Sequence, residues 1–164
     1  MIRLEVMGKN VSRDTPLAEV TLRKYERPGS LADRELARKL CLSLGLLHPG
    51  DSRDVIVDIL LQLLVSETPL NIAELEKQVI LSRKKEGMAA NGTASSNIRR
   101  QVRRLKGMFI VEKSGKGYKV SDNMCDILDN MISKHYVAAI MERVKEYCGE
   151  MDKRFNKIYK DKIQ

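Results

Sequence analysis

The stretch "SSNIRRQVRRLKGMFIVEKSGKGYKVSD" occupies residues 95–122. Its residues Ile98, Val102, Leu105 and Phe109 fall at i, i+4, i+7 and i+11, an apolar stripe of helical period. At about 100° per residue, Ser96, Arg100 and Arg103 stand opposite that stripe, and Arg99 and Arg104 flank them. The spacing predicts a helix with one side on a core and an arginine face directed away from it. Thr93 or Ser95 is placed to cap this helix and Gly107 to end it. Residues 109–113, "FIVEK", then predict a strand. "SGKG" is a tight turn of the kind glycine permits, and "YKVSD" returns as a second strand. Lys116 lies at the tip of this hairpin, with Lys113 and Lys119 near its base.

Charge gathers on the same segment. The chain carries a net +8. Ala94–Val120 holds eight bases (Arg99, Arg100, Arg103, Arg104, Lys106, Lys113, Lys116 and Lys119) against one acid, Glu112, which is +7 in 27 residues and leaves +1 for the other 137. An ordinary solvated helix face mixes signs to form i,i+4 pairs. Here like charges stand at i,i+4 in Arg99/Arg103 and Arg100/Arg104, which costs stability until an anion arrives. The pattern favours a nucleic-acid surface. For Lys116 alone, a solubilising turn residue explains as much as a contact does.

Upstream, Asp51 or Ser52 is placed to cap "RDVIVDILLQLLVS", whose apolar residues cover most of its circumference and predict a central buried helix. Asp51, Asp54 and Asp58 would form its one wet edge. Thr68 and Pro69 break the chain. A helix follows from about Asn71 to about Lys84, with Ile72, Leu75 and Val79 on one face, and then a loop from about Lys85 to Thr93. Nearer the N-terminus, Ser30 reads as the cap of a helix carrying Leu36, Leu40 and Leu44 with Ala37 and Cys41, ended by Gly45. Residues 2–7 and 18–25 alternate apolar and polar and predict a strand pair.

Downstream, Ser121 or Asp122 is placed to cap one long helix reaching about Tyr159, roughly 57 Å at 1.5 Å per residue. From Val137 through Ile140, Val144, Tyr147, Met151, Phe155 and Ile158 its apolar steps are close to a heptad stripe with one stutter. A small domain cannot cover such a helix, so these seven residues predict dimerisation with a second copy. Met and Tyr on the stripe read as packing rather than a ligand pocket.

The order helix, helix, arginine-rich helix, strand, basic turn, strand resembles the winged helix-turn-helix superfamily. Three stretches carry the resemblance: "TPLNIAELEKQV" as the entry to the second helix, "SSNIRRQVRRLKGM" as the recognition helix and "FIVEKSGKGYKVSD" as the wing. The segment they mark, residues 51–121, is about 70 of the 164 residues. The loop from Lys85 to Thr93 is longer than that family's usual turn. The resemblance implies a third helix in a DNA major groove, with Ser96, Asn97, Arg99, Arg100 and Arg103 reaching the duplex. Arg104 and Lys106 would touch its backbone, and the wing, through Lys113, Lys116 and Lys119, backbone or minor groove. The appended long helix resembles the dimerisation helices of PadR- or MarR-type regulators.

The expected fold class is therefore mainly α with a small β part (α+β). Residues 1–50 would be a strand pair plus helix, 51–121 a winged helix-turn-helix domain and 122–164 a long dimerisation helix. The expected function is a homodimeric, sequence-specific double-stranded DNA-binding transcriptional regulator. The alternative is a winged-helix module for protein–protein interaction in transcription or replication machinery. RNA ranks third, because Phe109 and Tyr118 are the only aromatics near the patch and Phe109 reads as buried. Three separated cysteines, Cys41, Cys125 and Cys148, argue for a reducing compartment and against a zinc site or disulfide framework. With no signal-peptide pattern at the first residues and no apolar run of spanning length, a cytoplasmic protein without membrane contact is expected. No phosphate loop, nucleophile elbow or metal-ligand spacing occurs, so neither an enzyme nor a cofactor or metal is expected. The sequence leaves a small-molecule effector open.

Overall fold

The computed structural model describes residues 16–22 and 27–155. Its elements are α1 (Asp33–Ser43), α2 (Val55–Val65), α3 (Ile72–Lys85), α4 (Ser95–Gly107), β1 (Val111–Ser114), β2 (Gly117–Val120) and a helical rod, α5. The rod is α-helical at Met124–Ile127, π-helical at Leu128–Val137 and α-helical again at Ala138–Phe155. The described residues are thus mainly helical with one small antiparallel sheet, an α+β arrangement. Among the described residues, no helix is long and apolar enough to cross a membrane.

Helix α2 is the hub because it is apolar nearly all round. Val55, Ile56, Val57, Ile59, Leu60 and Leu63 are buried, and α1, α3, α4 and β2 pack around them. α4 adds Ile98, Val102 and Leu105 from its predicted stripe. α3 adds Leu75 and Val79, and begins in a capping box in which Asn71 and Glu74 satisfy each other's backbone N–H. α1 turns Ala37 and Cys41 inward and leaves Leu36 44% exposed, against expectation. Burial pushes the Cys41 thiol up to about 12, so it behaves as a small hydrophobe.

Several predicted caps have other duties. Ser30 lies in a 3-10 turn, Pro28–Ser30, and α1 starts three residues later, at Asp33 behind Ala32. The Asp51 carboxylate accepts from the His48 N–H, and Asp54, not Asp51 or Ser52, precedes α2. The Thr93 hydroxyl donates to Ala90 O, and the Ser95 hydroxyl to the Glu76 carboxylate. The Ser121 hydroxyl donates to Phe109 O and Ile110 O, so the rod starts behind Asn123.

The expected strand at 18–25 is absent from residues 18–22, which carry no regular structure; residues 2–7 and 23–26 lie outside the described residues. Thr21 N–H donates to Ser43 O, while Leu22 is fully exposed, so the alternation there does not mark a buried face.

The hairpin pairs Val111 with Val120, Glu112 with Lys119, Lys113 with Tyr118 and Ser114 with Gly117. Leu70 adds an isolated rung to β2, exchanging two 2.9 Å backbone hydrogen bonds with Tyr118. Gly117 permits this approach. A Cβ there would stand 2.9 Å from the carbonyl carbon of Pro69 and 3.0 Å from Leu70 backbone.

Phe109 neither extends the α4 stripe nor starts β1. It adopts φ 62°, while Ile110 N–H bonds Leu105 O and Phe109 N–H bonds Lys106 O. That is a Schellman stop with phenylalanine where glycine is usual. The reversal buries Met108 and Ile110 and leaves Phe109 half-buried, its ring 5.2 Å from His135 and 5.7 Å from Tyr136.

The π-helical stretch has a sequence reason. Ile127 and Ile132 are buried and Val137 is half-buried, at steps of five. A π-helix bonds i to i+5, as Ala138 N–H does to Ser133 O, and so keeps residues five apart on one face. The expected single α-helix is interrupted there, and Ile158 lies outside the described residues.

One ionic cluster sits against the core. Asp58 is only 4% and Arg83 3% exposed. Arg83 Nε donates to Asp58 at 2.7 Å and its Nη2 to Asp54 at 2.8 Å. Arg34 grips the same carboxylates, Asp54 at 2.9 Å and Asp58 at 3.1 Å. Asp54 and Asp58 are therefore not a wet edge. Burial alone would push the Asp54 carboxyl up, but the two guanidiniums outweigh it and hold it below its ordinary value. Arg83 Nη1 also donates to Ala89 O at 3.0 Å and Asn91 O at 3.4 Å. The long loop before α4 is thus wrapped on a buried arginine.

Candidate nucleic-acid interface

Helix α4 is amphipathic by composition. Ile98, Gln101, Val102 and Leu105 face the core, while Ser96, Arg99, Arg100, Arg103, Arg104 and Lys106 are exposed. Among the described residues no carboxylate forms an ion pair with Arg99, Arg100, Arg103 or Lys106. The like-charge crowding seen in the sequence is therefore not relieved within the fold.

The predicted residues divide into two groups. Ser96, Asn97 and Arg100 line an open groove of about 820 Å³ with Ser52, Arg53, Asn91 and Gly92. Arg53, from the segment before α2, thus adds a cation that the sequence did not single out. Arg99, Arg103 and Lys106 line a smaller depression, about 240 Å³, with Ile72, Val102 and Tyr118. Tyr118 puts a half-buried aromatic ring beside the arginines. Lys113 shares the Tyr118 face of the hairpin by strand alternation, and Lys116 is exposed at the tip.

Three predicted contacts are occupied within the chain. Asn97 Nδ2 donates to Gly92 O at 2.6 Å, and its Oδ1 accepts from Arg100 at 2.8 Å and from Gln101 at 3.1 Å. Asn97 thus positions the loop and Arg100. Arg104 donates to Gln101 Oε1 at 2.9 Å and to Gly45 O at 3.3 Å, strapping α4 to the end of α1. Partial burial, with the nearby Arg100 charge, lowers its pKa. Lys119 pairs with Glu112 at 3.2 Å on the hairpin face opposite Tyr118.

What remains without an ion pair among the described residues is a cationic strip: Arg53 and Arg100 on one flank of α4, Arg99, Arg103 and Lys106 on the other, then Lys113 and Lys116. Guanidiniums suit such a surface because each presents a planar fork to phosphate or guanine. The predicted dimerisation residues lie apart on the rod. Val137 and Ile140 are half-buried, and Val144, Tyr147, Met151 and Phe155 are exposed. No protein-family model, no curated protein and no solved structure matches the chain.

Proposed function

We propose that the chain is a homodimeric, sequence-specific double-stranded DNA-binding transcriptional regulator of winged helix-turn-helix type. The observation that carries the reading is the exposed, acid-free arginine face of α4 beside a basic hairpin. In this reading Ser96, Arg99, Arg100 and Arg103 meet bases and phosphates, Lys106, Lys113 and Lys116 meet backbone, and Arg53 adds a phosphate contact. Each arginine can neutralise phosphate or grip guanine bidentately. A dimer would meet half-sites about one helical turn apart, near 10 bp.

The experiment is an anisotropy titration of the full chain against duplex DNA at several salt concentrations, beside an Arg100→Ala/Arg103→Ala variant. The expected slope of log K against log salt is about −0.9 per phosphate neutralised, and the variant should lose most of its affinity and about two contacts' worth of slope. Absence of duplex binding at low salt sinks the reading and points the arginine face at an acidic protein.

A further inference from the structure

The final segment of α5, Ala138–Phe155, has no buried residue. Met141, Val144, Tyr147, Met151 and Phe155 are 48–70% exposed. With Ile140 they form one stripe, about 120° wide in projection at 100° per residue. Lettering Val137 as a heptad a position puts Ile140 and Tyr147 at d and Val144 and Met151 at a. Arg143 and Glu150 then both fall at g, and Met141 and Cys148 at e.

Those flanking charges choose among the ways two such helices can lie together. In an antiparallel pair, a packs on d and g faces g; in a parallel pair, g faces e. A parallel pair would set Arg143 against Cys148 and Glu150 against Phe155, with no ion pair formed. An antiparallel pair with Ile140 opposite Val144 would set Arg143 against its own copy. One with Tyr147 opposite Met151 would do the same to Glu150. Only with Val144 opposite Tyr147, and Ile140 opposite Met151, does each Arg143 meet a Glu150, and symmetry makes that contact twice. The pairs these side chains make within their own helix, Arg143–Glu146 at 3.0 Å, Glu150–Lys153 at 3.0 Å and Glu150–Arg154 at 3.7 Å, are exposed and weak enough to be exchanged.

We infer that the occupant of this stripe is a second copy of the chain, laid antiparallel with Val144 on the partner's Tyr147 and Arg143 on the partner's Glu150. The inference rests on the homodimeric part of the proposed function and adds its direction and register. Burial of the stripe drives association, and the charges select the alignment.

Sedimentation equilibrium of the full chain as wild type, Arg143→Glu, Glu150→Arg and the double exchange tests it. The segment is clear of the body, so circular dichroism should show all four folded. The wild type should be a dimer. Each single exchange places like charges face to face twice and should weaken the dimer about tenfold. The double exchange restores opposite charges and should return it to within about threefold of wild type. A double variant weaker than either single overturns the register while the dimer stands. A wild type that stays monomeric overturns both the register and the homodimeric reading, whatever its DNA binding.

Discussion

Replacing Arg83 by methionine keeps most of the side chain's volume and removes every donor. Four contacts go at once: those to Asp58 and Asp54, and those to Ala89 O and Asn91 O. Breaking a buried ion pair by removing one partner costs about 3–5 kcal/mol, because the other charge stays behind. Arg34 remains on both carboxylates, which places the ionic loss near the lower end. The two loop carbonyls add about 1 kcal/mol together, since solvent can reach that part of the loop. The total, about 4 kcal/mol, is a large share of the 5–15 kcal/mol typical of a domain. In urea, with a slope of about 2 kcal/mol/M, the unfolding midpoint should fall by about 2 M. Arg83→Lys should recover little, because an ammonium cannot fork between two carboxylates and a loop. A midpoint shift under about 0.5 M, equivalent to about 1 kcal/mol at that slope, would refute the reasoning and mean that water already serves these groups.

Three other outcomes follow from the same geometry. Gly117→Ala should cost about 2–4 kcal/mol by chemical denaturation, because its Cβ meets Pro69 and Leu70 backbone and the two Leu70–Tyr118 hydrogen bonds must yield; unchanged stability would mean that the hairpin relaxes freely. Asp54 has a folded pKa below its ordinary 3.8, so its contribution is complete above that value and is lost as pH falls through the lower folded value. Asp54→Asn should therefore flatten the acid limb of stability against pH, and a persisting acid slope of wild-type size would assign it to other carboxylates. In DNA titrations Lys119→Ala should change affinity less than Arg103→Ala, because Lys119 is paired with Glu112 on the far face of the hairpin; equal losses would place the far face against DNA too.

The α4 stripe was legible because a 3.6-residue period and burial coincide at Ile98, Val102 and Leu105. Phe109 misled because it continues the arithmetic of that stripe, while the chain has already reversed through a left-handed residue that carries no glycine to announce it. The Leu70–Tyr118 rung is a single pair and leaves no alternation to read. Asp54 and Asp58 looked solvated because their partners, Arg34 and Arg83, lie 20 to 29 positions away on other helices. Arg53 and Asn91 joined the basic groove through tertiary proximity alone. The π-helical stretch did leave a mark, the five-residue steps from Ile127 to Ile132 to Val137, which a search for period 3.6 passes over.

The clasp at Phe109 reaches beyond its own turn. Its ring lies against His135 and Tyr136, and the Tyr136 hydroxyl donates to Gly107 O. The arginine helix is therefore hinged to the rod at its C-terminal end rather than hanging from a loose linker. In a dimer joined through the rods, the two arginine helices would behave as the jaws of a caliper. With Val144 against Tyr147 the two Val137 residues stand about 26 Å apart along the rods at 1.5 Å per residue, and a two-fold axis between them calls for a palindromic site. Tolerance for inserted base pairs between half-sites would then measure the stiffness of one aromatic cluster, because each added pair rotates the second half-site about the duplex while the jaws stay where Phe109 and Tyr136 hold them.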